Sequence, residues 1–176
     1  MEHTIEPAAS GRAGCRGCGN KIARGELRFG ERLPNPFADG TVMTHWFHLR
    51  CAAMKRPDAL LDTLADTDHP VEATEADHLR EIARVGLTHR RIPRIDGVER
   101  SPSGRAACRQ CREPIPKDDW RIKLVFYEEG MFNPAGFIHL TCATDYFETA
   151  DIVDRLTHFT SDLSSDDLAE LEKLLS

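Results

Sequence analysis

Apolar residues recur along the chain with two spacings, one typical of strands and the other of helices. The segments L-R-F-G-E-R-L and R-I-K-L-V-F-Y lie close to turn-forming residues, which predicts strands of a small antiparallel sheet. Four later segments place apolar residues at helical spacing, which predicts helices that pack through one apolar face. Their apolar positions are Leu60, Leu61 and Leu64; Leu79, Ile82 and Val85; Ile152, Val153 and Leu156; and Leu168, Leu171 and Leu175.

Turn and cap signals delimit these elements. Residues 34–41 (P-N-P-F-A-D-G-T) and 128–136 (E-E-G-M-F-N-P-A-G) are rich in Gly, Pro and Asn, which predicts loops or hairpin turns. The segments T-E-A-D-H-L and S-S-D-D-L-A begin with a hydroxyl residue and an acid, a pattern typical of a capped helix start.

The same unit occurs twice in the chain. Residues 10–28 (S-G-R-A-G-C-R-G-C-G-N-K-I-A-R-G-E-L-R) match residues 103–121 (S-G-R-A-A-C-R-Q-C-R-E-P-I-P-K-D-D-W-R) at a constant offset of 93 residues. An internal repeat decides how the rest of a sequence is divided. We therefore predict one domain at 10–87 and a second at 105–176. Residues 1–9 are predicted to be disordered, and the proline- and arginine-containing residues 88–104 are predicted to form an extended linker.

Each copy carries the same set of potential metal ligands. The patterns are C-x2-C-x29-H-x2-C in the first copy and C-x2-C-x27-H-x2-C in the second. Two thiolates from a tight loop, with an imidazole and a third thiolate from one turn, form a four-coordinate set. That set suits tetrahedral zinc and leaves no position for a substrate water. The predicted ligands of two structural Zn2+ ions are Cys15, Cys18, His48 and Cys51, and Cys108, Cys111, His139 and Cys142.

The cysteines also permit other interpretations. They could form two disulfides with two spare thiols, or be six unrelated core residues, and a single C-x2-C could be a redox motif. Each copy uses three cysteines in the same order around one histidine, so that none of the six is left over, which favours zinc. The expected fold class is α+β, with two small zinc-stabilised domains that each contain a short antiparallel sheet, a Cys3His site and C-terminal helices. Trp46 and Phe137 each precede the last cysteine by five positions, and we interpret both as core residues beside the metal.

The net charge of -6 is unevenly distributed along the chain. Residues 1–58 carry nine Lys/Arg against six Asp/Glu, whereas residues 148–176 carry two against eight. The ligand-bearing segments are thus neutral to basic, which is compatible with a nucleic-acid partner. No apolar run approaches the roughly 20 residues of a membrane span, the start lacks a secretory signal, and the metal sites need reduced thiols. We expect an intracellular protein, in the nucleus if eukaryotic and in the cytoplasm or nucleoid if bacterial.

The pattern of these residues resembles the zinc finger of poly(ADP-ribose) polymerases, which also occurs in a nuclear DNA ligase. The likeness rests on C-x2-C-x3-I with a basic residue six positions beyond the Ile, closed by an aromatic-x-H-x2-C about thirty residues later. It is closest in C-R-Q-C-R-E-P-I-P-K-D-D-W-R-I-K and in H-W-F-H-L-R-C, and it covers nearly the whole chain.

The resemblance implies a protein that senses DNA strand breaks through phosphate contacts and apolar stacking, without reading base sequence. Two arginines per finger match family positions that contact the DNA backbone; they are Arg12 and Arg28, and Arg105 and Arg121. A guanidinium fork suits phosphate oxygens, although such residues could also be ordinary solvated arginines. The candidates for stacking on an exposed base pair are Phe37 and Met43 in the first finger, and Phe132 and Pro134 in the second.

The resemblance therefore implies a DNA-binding accessory of DNA repair that acts at nicks, gaps or ends, recruits or regulates a repair enzyme, and is not itself an enzyme. The sequence carries no nucleophile–base pairing, P-loop or glycine fingerprint, and we expect neither a membrane nor a small-molecule substrate. The alternative is a protein-interaction scaffold that keeps the zinc finger only as a fold, which the overall acidity would suit. An enzyme with catalytic zinc is a third hypothesis, weakened by the closed ligand sets.

Overall fold

The computed structural model describes residues 2–175, and its internal contacts divide the chain into two compact units. The first unit ends at Thr88 and the second begins at His89. Each unit contains a three-stranded antiparallel sheet and several helices. The predicted α+β class, with a short sheet before the helices in each repeat, is therefore confirmed. Among residues 2–175, no helix combines the length and the apolar character needed to cross a membrane.

The first unit is a three-stranded meander followed by three helices. Its strands are β1 (Thr4–Pro7), β2 (Leu27–Pro34) and β3 (Val42–His48), and its helices are α1 (Leu49–Lys55), α2 (Pro57–Ala65) and α3 (Ala73–Thr88). The register places Ile5, Phe29 and Phe47 side by side, and all three are buried. Because side chains alternate across a strand, the neighbouring positions, such as Arg28 and Trp46, point to the opposite face, called the open face below.

The second unit repeats this order. Its strands are β4 (Ile95–Arg100), β5 (Trp120–Glu128) and β6 (Met131–His139), and its helices are α4 (Ala143–Phe147), α5 (Val153–His158) and α6 (Ser165–Leu175). Val98, Ile122 and Ile138 occupy the buried positions that Ile5, Phe29 and Phe47 hold in the first unit. A bulge in β4 contains Gly97, whose φ of +103° suits glycine and whose missing Cβ leaves room for the Phe159 carbonyl.

The helix stripes predicted from spacing pack mainly between helices: α3 packs against α1 and α2, whereas α5 packs against β4. Leu60, Leu79 and Leu156 are fully buried. At the start of α6, the Ser164 hydroxyl accepts a hydrogen bond from the Asp167 backbone N–H, and the Asp167 carboxylate accepts one from the Ser164 N–H. This reciprocal pair is the capping box that the sequence indicates.

Two local predictions are wrong. Residues 1–9 are not a disordered start, since β1 pairs with β2 from Thr4 to Pro7. Residues 88–104 are not a plain linker, since β4 lies within them and pairs with β5. The hairpin turn predicted within residues 128–136 is present and short, since β5 ends at Glu128 and β6 begins at Met131. Pro134 is tolerated there because it lies beside a bulge on an outer strand, two settings in which proline is found in sheets.

A buried ion pair joins the first sheet to its helices and allows a test of the fold. The Arg56 Nε donates to Glu31 Oε1 at 2.9 Å, and the Glu31 side chain is 1% exposed. We expect Glu31→Gln to lower the free energy of unfolding by about 2 to 3 kcal/mol, because it leaves a largely buried guanidinium without its counter-charge. Chemical denaturation measures the effect. Glu81→Gln, which breaks an exposed pair with Arg84, is the control and should cost less than about 0.5 kcal/mol.

Candidate zinc centres and the arginine face

The first ligand set comes together at the end of the first sheet. Cys15 and Cys18 lie on the tight loop before β2, His48 is the last residue of β3, and Cys51 lies in the first turn of α1. Their four ligand atoms all lie within 4.8 Å of one another. The His48 Nδ1 is 3.4 Å from the Cys18 Sγ and 3.8 Å from the Cys51 Sγ. Tetrahedral zinc requires about 3.6 Å between a sulfur and a nitrogen ligand, so the set fits the ion.

The second ligand set has the same geometry. Cys108, Cys111, His139 and Cys142 place their ligand atoms within the same 4.8 Å limit. The His139 Nδ1 is 3.4 Å from the Cys111 Sγ and 3.8 Å from the Cys142 Sγ. None of the six cysteines forms a disulfide. The prediction of two zinc centres, each with a complete Cys3His donor set, is confirmed.

Hydrogen bonds around each centre orient its ligands. The His48 Nε2 lies 3.3 Å from the Lys21 carbonyl and the His139 Nε2 lies 3.1 Å from the Pro114 carbonyl. A carbonyl can only accept, so Nε2 carries the proton and the Nδ1 lone pair is available to the metal. The Cys15 Sγ accepts hydrogen bonds from the backbone N–H groups of Gly17 and His48, which stabilise a thiolate.

The acid–base properties of the thiols follow from these contacts. A hydrogen bond with Cys51, aided by backbone donors, lowers the pKa of Cys15 to about 4. The same contact and burial raise the pKa of Cys51. Burial opposes ionisation of Cys108, but the backbone N–H groups around it prevail and lower its pKa to about 6. Because zinc requires every thiolate, binding releases protons, and zinc affinity decreases as the pH falls.

An arginine lies over an aromatic ring on the open face of each sheet. The Arg28 guanidinium carbon is 3.4 Å from the centroid of the Trp46 ring, and that of Arg121 is 3.6 Å from the Phe137 centroid. Such stacking is favourable because the ring face is electron-rich. Gly30 makes it possible in the first unit, since a Cβ there would lie 2.6 Å from the Trp46 ring.

Both arginines also pair with an acid on the neighbouring strand. Arg28 Nη2 donates to Glu6 Oε1 at 2.8 Å, and Arg121 Nε donates to Glu99 Oε1 at 2.9 Å. The register sets Glu6 directly opposite Arg28 and Glu99 directly opposite Arg121. The two units therefore share an arrangement of acid, arginine and ring next to the zinc centre.

Comparison with known proteins agrees with the ligand sets. Residues 6–85 match the family described as the poly(ADP-ribose) polymerase and DNA-ligase zinc-finger region. A poly(ADP-ribose) polymerase from Sarcophaga peregrina is 31% identical over 193 residues, which cover 97% of this chain and 19% of that protein. The polynucleotide 3'-phosphatase ZDP from Arabidopsis thaliana is 28% identical over 198 residues, which cover 99% of this chain and 28% of that protein.

Residues 6–85 belong to the PARP-type zinc-finger family. The family match covers the first finger, and the second finger is included in both alignments that span nearly the whole chain. The chain spans less than a third of the length of either relative. The predicted recognition of two tandem PARP-type fingers is confirmed.

The structure separates the four predicted arginine contacts into two kinds. Arg12 and Arg105 are exposed, and they lie shortly before the first cysteine of their fingers. Arg28 and Arg121 are only 8% and 7% exposed, and each is held by its ring and its acid. The assignment of all four as ligand contacts stays a prediction.

The interpretation of Trp46 and Phe137 as core residues is wrong. Both are half-buried on the open face, and the core positions belong to their neighbours Phe47 and Ile138. Alternation along β3 and β6 explains the difference, because a residue next to a buried one points the other way. Stacking by arginine, which the sequence does not reveal, covers the exposed face of each ring.

The four apolar residues predicted to stack on a base pair differ in their position and exposure. Phe37 is 93% exposed at the tip of its loop. Met43 lies opposite Leu33, on the sheet face of Phe29 rather than on that of Arg28, and Val42 takes the open face instead. Phe132 is half-buried on β6 with its ring 4.9 Å from Tyr127, and Pro134 is exposed at the bulge. These four residues stay predicted contacts, of which Phe37 is the most accessible.

Proposed function

We propose that the chain binds DNA at nicks, gaps or ends through its two PARP-type fingers, without reading base sequence, as an accessory of DNA repair. The relatives support this at the family level, since one is named a polynucleotide 3'-phosphatase and another a poly(ADP-ribose) polymerase. The observation that carries the proposal is the stacked arginine beside each zinc centre, repeated in both fingers.

The chemistry of this face suits phosphate. A guanidinium presents several N–H donors in a plane and binds phosphate oxygens without regard to the base. Arg12 and Arg105 add exposed positive charge near Arg28 and Arg121 along the sequence. The acidic residues concentrate in 59–98 and 148–176, away in sequence from the ligand-bearing segments. We propose a non-catalytic role, because both ligand sets are complete and offer no coordination site for a substrate.

Competition between forms of one plasmid tests the proposal. A short nicked duplex with a fluorescent label reports binding by anisotropy, and the unlabelled competitor is the plasmid as a covalently closed circle, singly nicked, or cut to blunt ends. We expect the nicked and cut forms to compete at least tenfold better per molecule than the closed form. Equal competition by all three forms would contradict break recognition. A protein partner whose binding survives high salt, with no measurable DNA affinity, would favour the scaffold alternative.

The salt dependence of binding measures how many phosphates are contacted. If all four arginines engage phosphate, the slope of log affinity against log salt should be about -3 to -4, from about 0.9 per phosphate on duplex DNA. Contacts from the two exposed arginines alone would give a slope of about -2. Anisotropy titrations from low to moderate salt distinguish the two values.

Phe37 offers a direct test of stacking on the end base pair. Because the side chain is 93% exposed, Phe37→Ala should change the free energy of unfolding by less than about 0.5 kcal/mol. A stacked base contributes about 1 to 3 kcal/mol, so we expect affinity for blunt ends to fall about tenfold. The control is Leu174→Ala, which removes another exposed apolar side chain, on α6. Unchanged end affinity in the Phe37 variant would remove this residue from the interface.

A further inference from the structure

The acid beside each stacked arginine is the least expected feature of the proposed DNA-binding face. A carboxylate lowers the positive charge of that face and so weakens attraction to phosphate. Glu6 and Glu99 nevertheless occupy the same register position in both fingers, opposite Arg28 and Arg121. Their side chains are 36% and 37% exposed, whereas those of their arginines are 10% and 8% exposed, so each acid also balances the charge of a guanidinium that is largely removed from water.

The geometry shows what the acid does to the guanidinium. The ring lies against one face of the arginine, and the carboxylate holds one edge through Nη2 in Arg28 and through Nε and Nη2 in Arg121. Two contacts from different directions fix a planar group that would otherwise rotate on a flexible chain. Preorganisation of this kind reduces the entropy lost when a ligand binds.

The donors that remain point to a ligand. The Arg28 Nε is buried and has no hydrogen-bond acceptor among the described residues, in a residue that is 8% exposed. A buried donor without an acceptor is destabilising, so proteins rarely keep one without use. Nη1 of Arg28 and Nη1 of Arg121 also have no hydrogen-bond acceptor among residues 2–175. An anionic oxygen is the acceptor that these fixed N–H groups suit.

We propose that Glu6 and Glu99 are positioning residues, which hold Arg28 and Arg121 in the orientation that receives one phosphate each at a DNA break. The proposal rests on the proposed function. A fixed guanidinium accepts a phosphate only where the backbone lies in one place relative to the sheet, whereas mobile exposed arginines accept phosphates along any duplex. The two acids therefore determine the preference for broken over intact DNA more than the overall affinity.

The experiment uses the full chain with Glu6→Gln and Glu99→Gln, singly and together, in the plasmid competition described above. Glutamine keeps the size of the side chain and removes its charge. We expect the double variant to lose about tenfold in affinity for the nicked plasmid, while affinity for the closed circle is unchanged or higher because two negative charges are gone. The ratio of the two affinities should therefore fall at least tenfold. Glu75→Gln and Glu148→Gln, at exposed acids elsewhere in each unit, should leave the ratio unchanged.

A purely structural role predicts a different result. In that case the variants would melt at a lower temperature but keep the wild-type ratio at temperatures where both zinc ions remain bound, and this outcome would overturn the inference. If the double glutamine variant loses zinc, Glu6→Asp and Glu99→Asp decide the matter. Aspartate keeps the charge but withdraws the carboxylate, so a lowered ratio supports positioning and an unchanged ratio refutes it. A wild-type chain with no preference for broken DNA would refute the proposed function itself, before any variant is compared.

Discussion

Removal of zinc by a chelator is expected to unfold both fingers. The ligands join the loop before β2 or β5 to the strand and helix that follow, and Cys15 and Cys108 are buried within each unit. Structural zinc binds small modules with a free energy on the order of 10 kcal/mol, comparable to the whole stability of a small domain. Far-ultraviolet circular dichroism and the dispersion of amide resonances should both collapse on chelation and return when zinc is added.

A single ligand substitution should separate the two centres. His48→Ala is expected to reduce bound zinc from two ions per chain to one, with loss of the amide dispersion of the first finger only. His69→Ala, at an exposed histidine outside both ligand sets, should leave two ions bound. Metal content is measured by elemental analysis of dialysed protein. Full zinc occupancy in the His48 variant would show that the predicted donor set is not the binding site.

Replacement of the stacked arginines by lysine should reduce DNA binding although the charge is kept. Lysine carries a compact charge and cannot present a planar fork while lying on a ring. We expect Arg28→Lys and Arg121→Lys together to weaken binding to nicked DNA about 30-fold, equivalent to about 2 kcal/mol of charge-assisted hydrogen bonding. Anisotropy titration at fixed salt measures the change.

The matched control is Arg84→Lys on α3, at an exposed arginine paired with the neighbouring Glu81. It should bind nicked DNA as the wild type does. The melting temperature of the double variant reports whether loss of stacking has destabilised the sheets. If the double variant binds nicked DNA with the affinity and the salt dependence of the wild type, the buried arginines do not contact phosphate. Exposed residues such as Arg12 and Arg105 then make the phosphate contacts.

Much of the fold and both metal centres could be predicted from the sequence because the ligands impose their own spacing. A Cys-x2-Cys loop and a His-x2-Cys turn can bind one ion only if the chain between them folds back on itself. The antiparallel pairs β2–β3 and β5–β6 fold back in this way. The repeat at an offset of 93 residues then presents the same ligand pattern a second time, which supports the same assignment in both units. These constraints are local and chemical, so they can be recognised without knowledge of the tertiary structure.

The first strand of each finger could not be predicted in the same way. The β1 strand is T-I-E-P and β4 is I-D-G-V-E-R, with a glycine at a bulge. Neither shows a sustained alternation, since each contributes only one or two buried apolar side chains, such as Ile5 and Val98. Their stability comes from pairing with a distant strand, and long-range pairing is not encoded in the segment itself.

The contacts of Arg28 and Arg121 on the open face depend on strand register and are difficult to predict for the same reason. Glu6 lies 22 residues before Arg28, and nothing in the spacing indicates that their side chains meet. Likewise, the choice between Val42 and Met43 for the open face is settled by a pairing of β2 with β3, in which a shift of one residue would exchange them. The sequence identifies the arginines, whereas only the sheet identifies their partners.

The position of β1 and β4 ahead of the first cysteines defines the smallest piece of this protein that can be excised as an intact finger. A truncation at residue 10 or residue 105 would retain every zinc ligand and yet remove an entire strand from the sheet. The exposed edge of β2 or β5 would then offer unpaired N–H and C=O groups to other chains, and the stacked arginine would lose its acid. Excised fingers should therefore include β1 or β4, however complete the metal-binding motif looks without it.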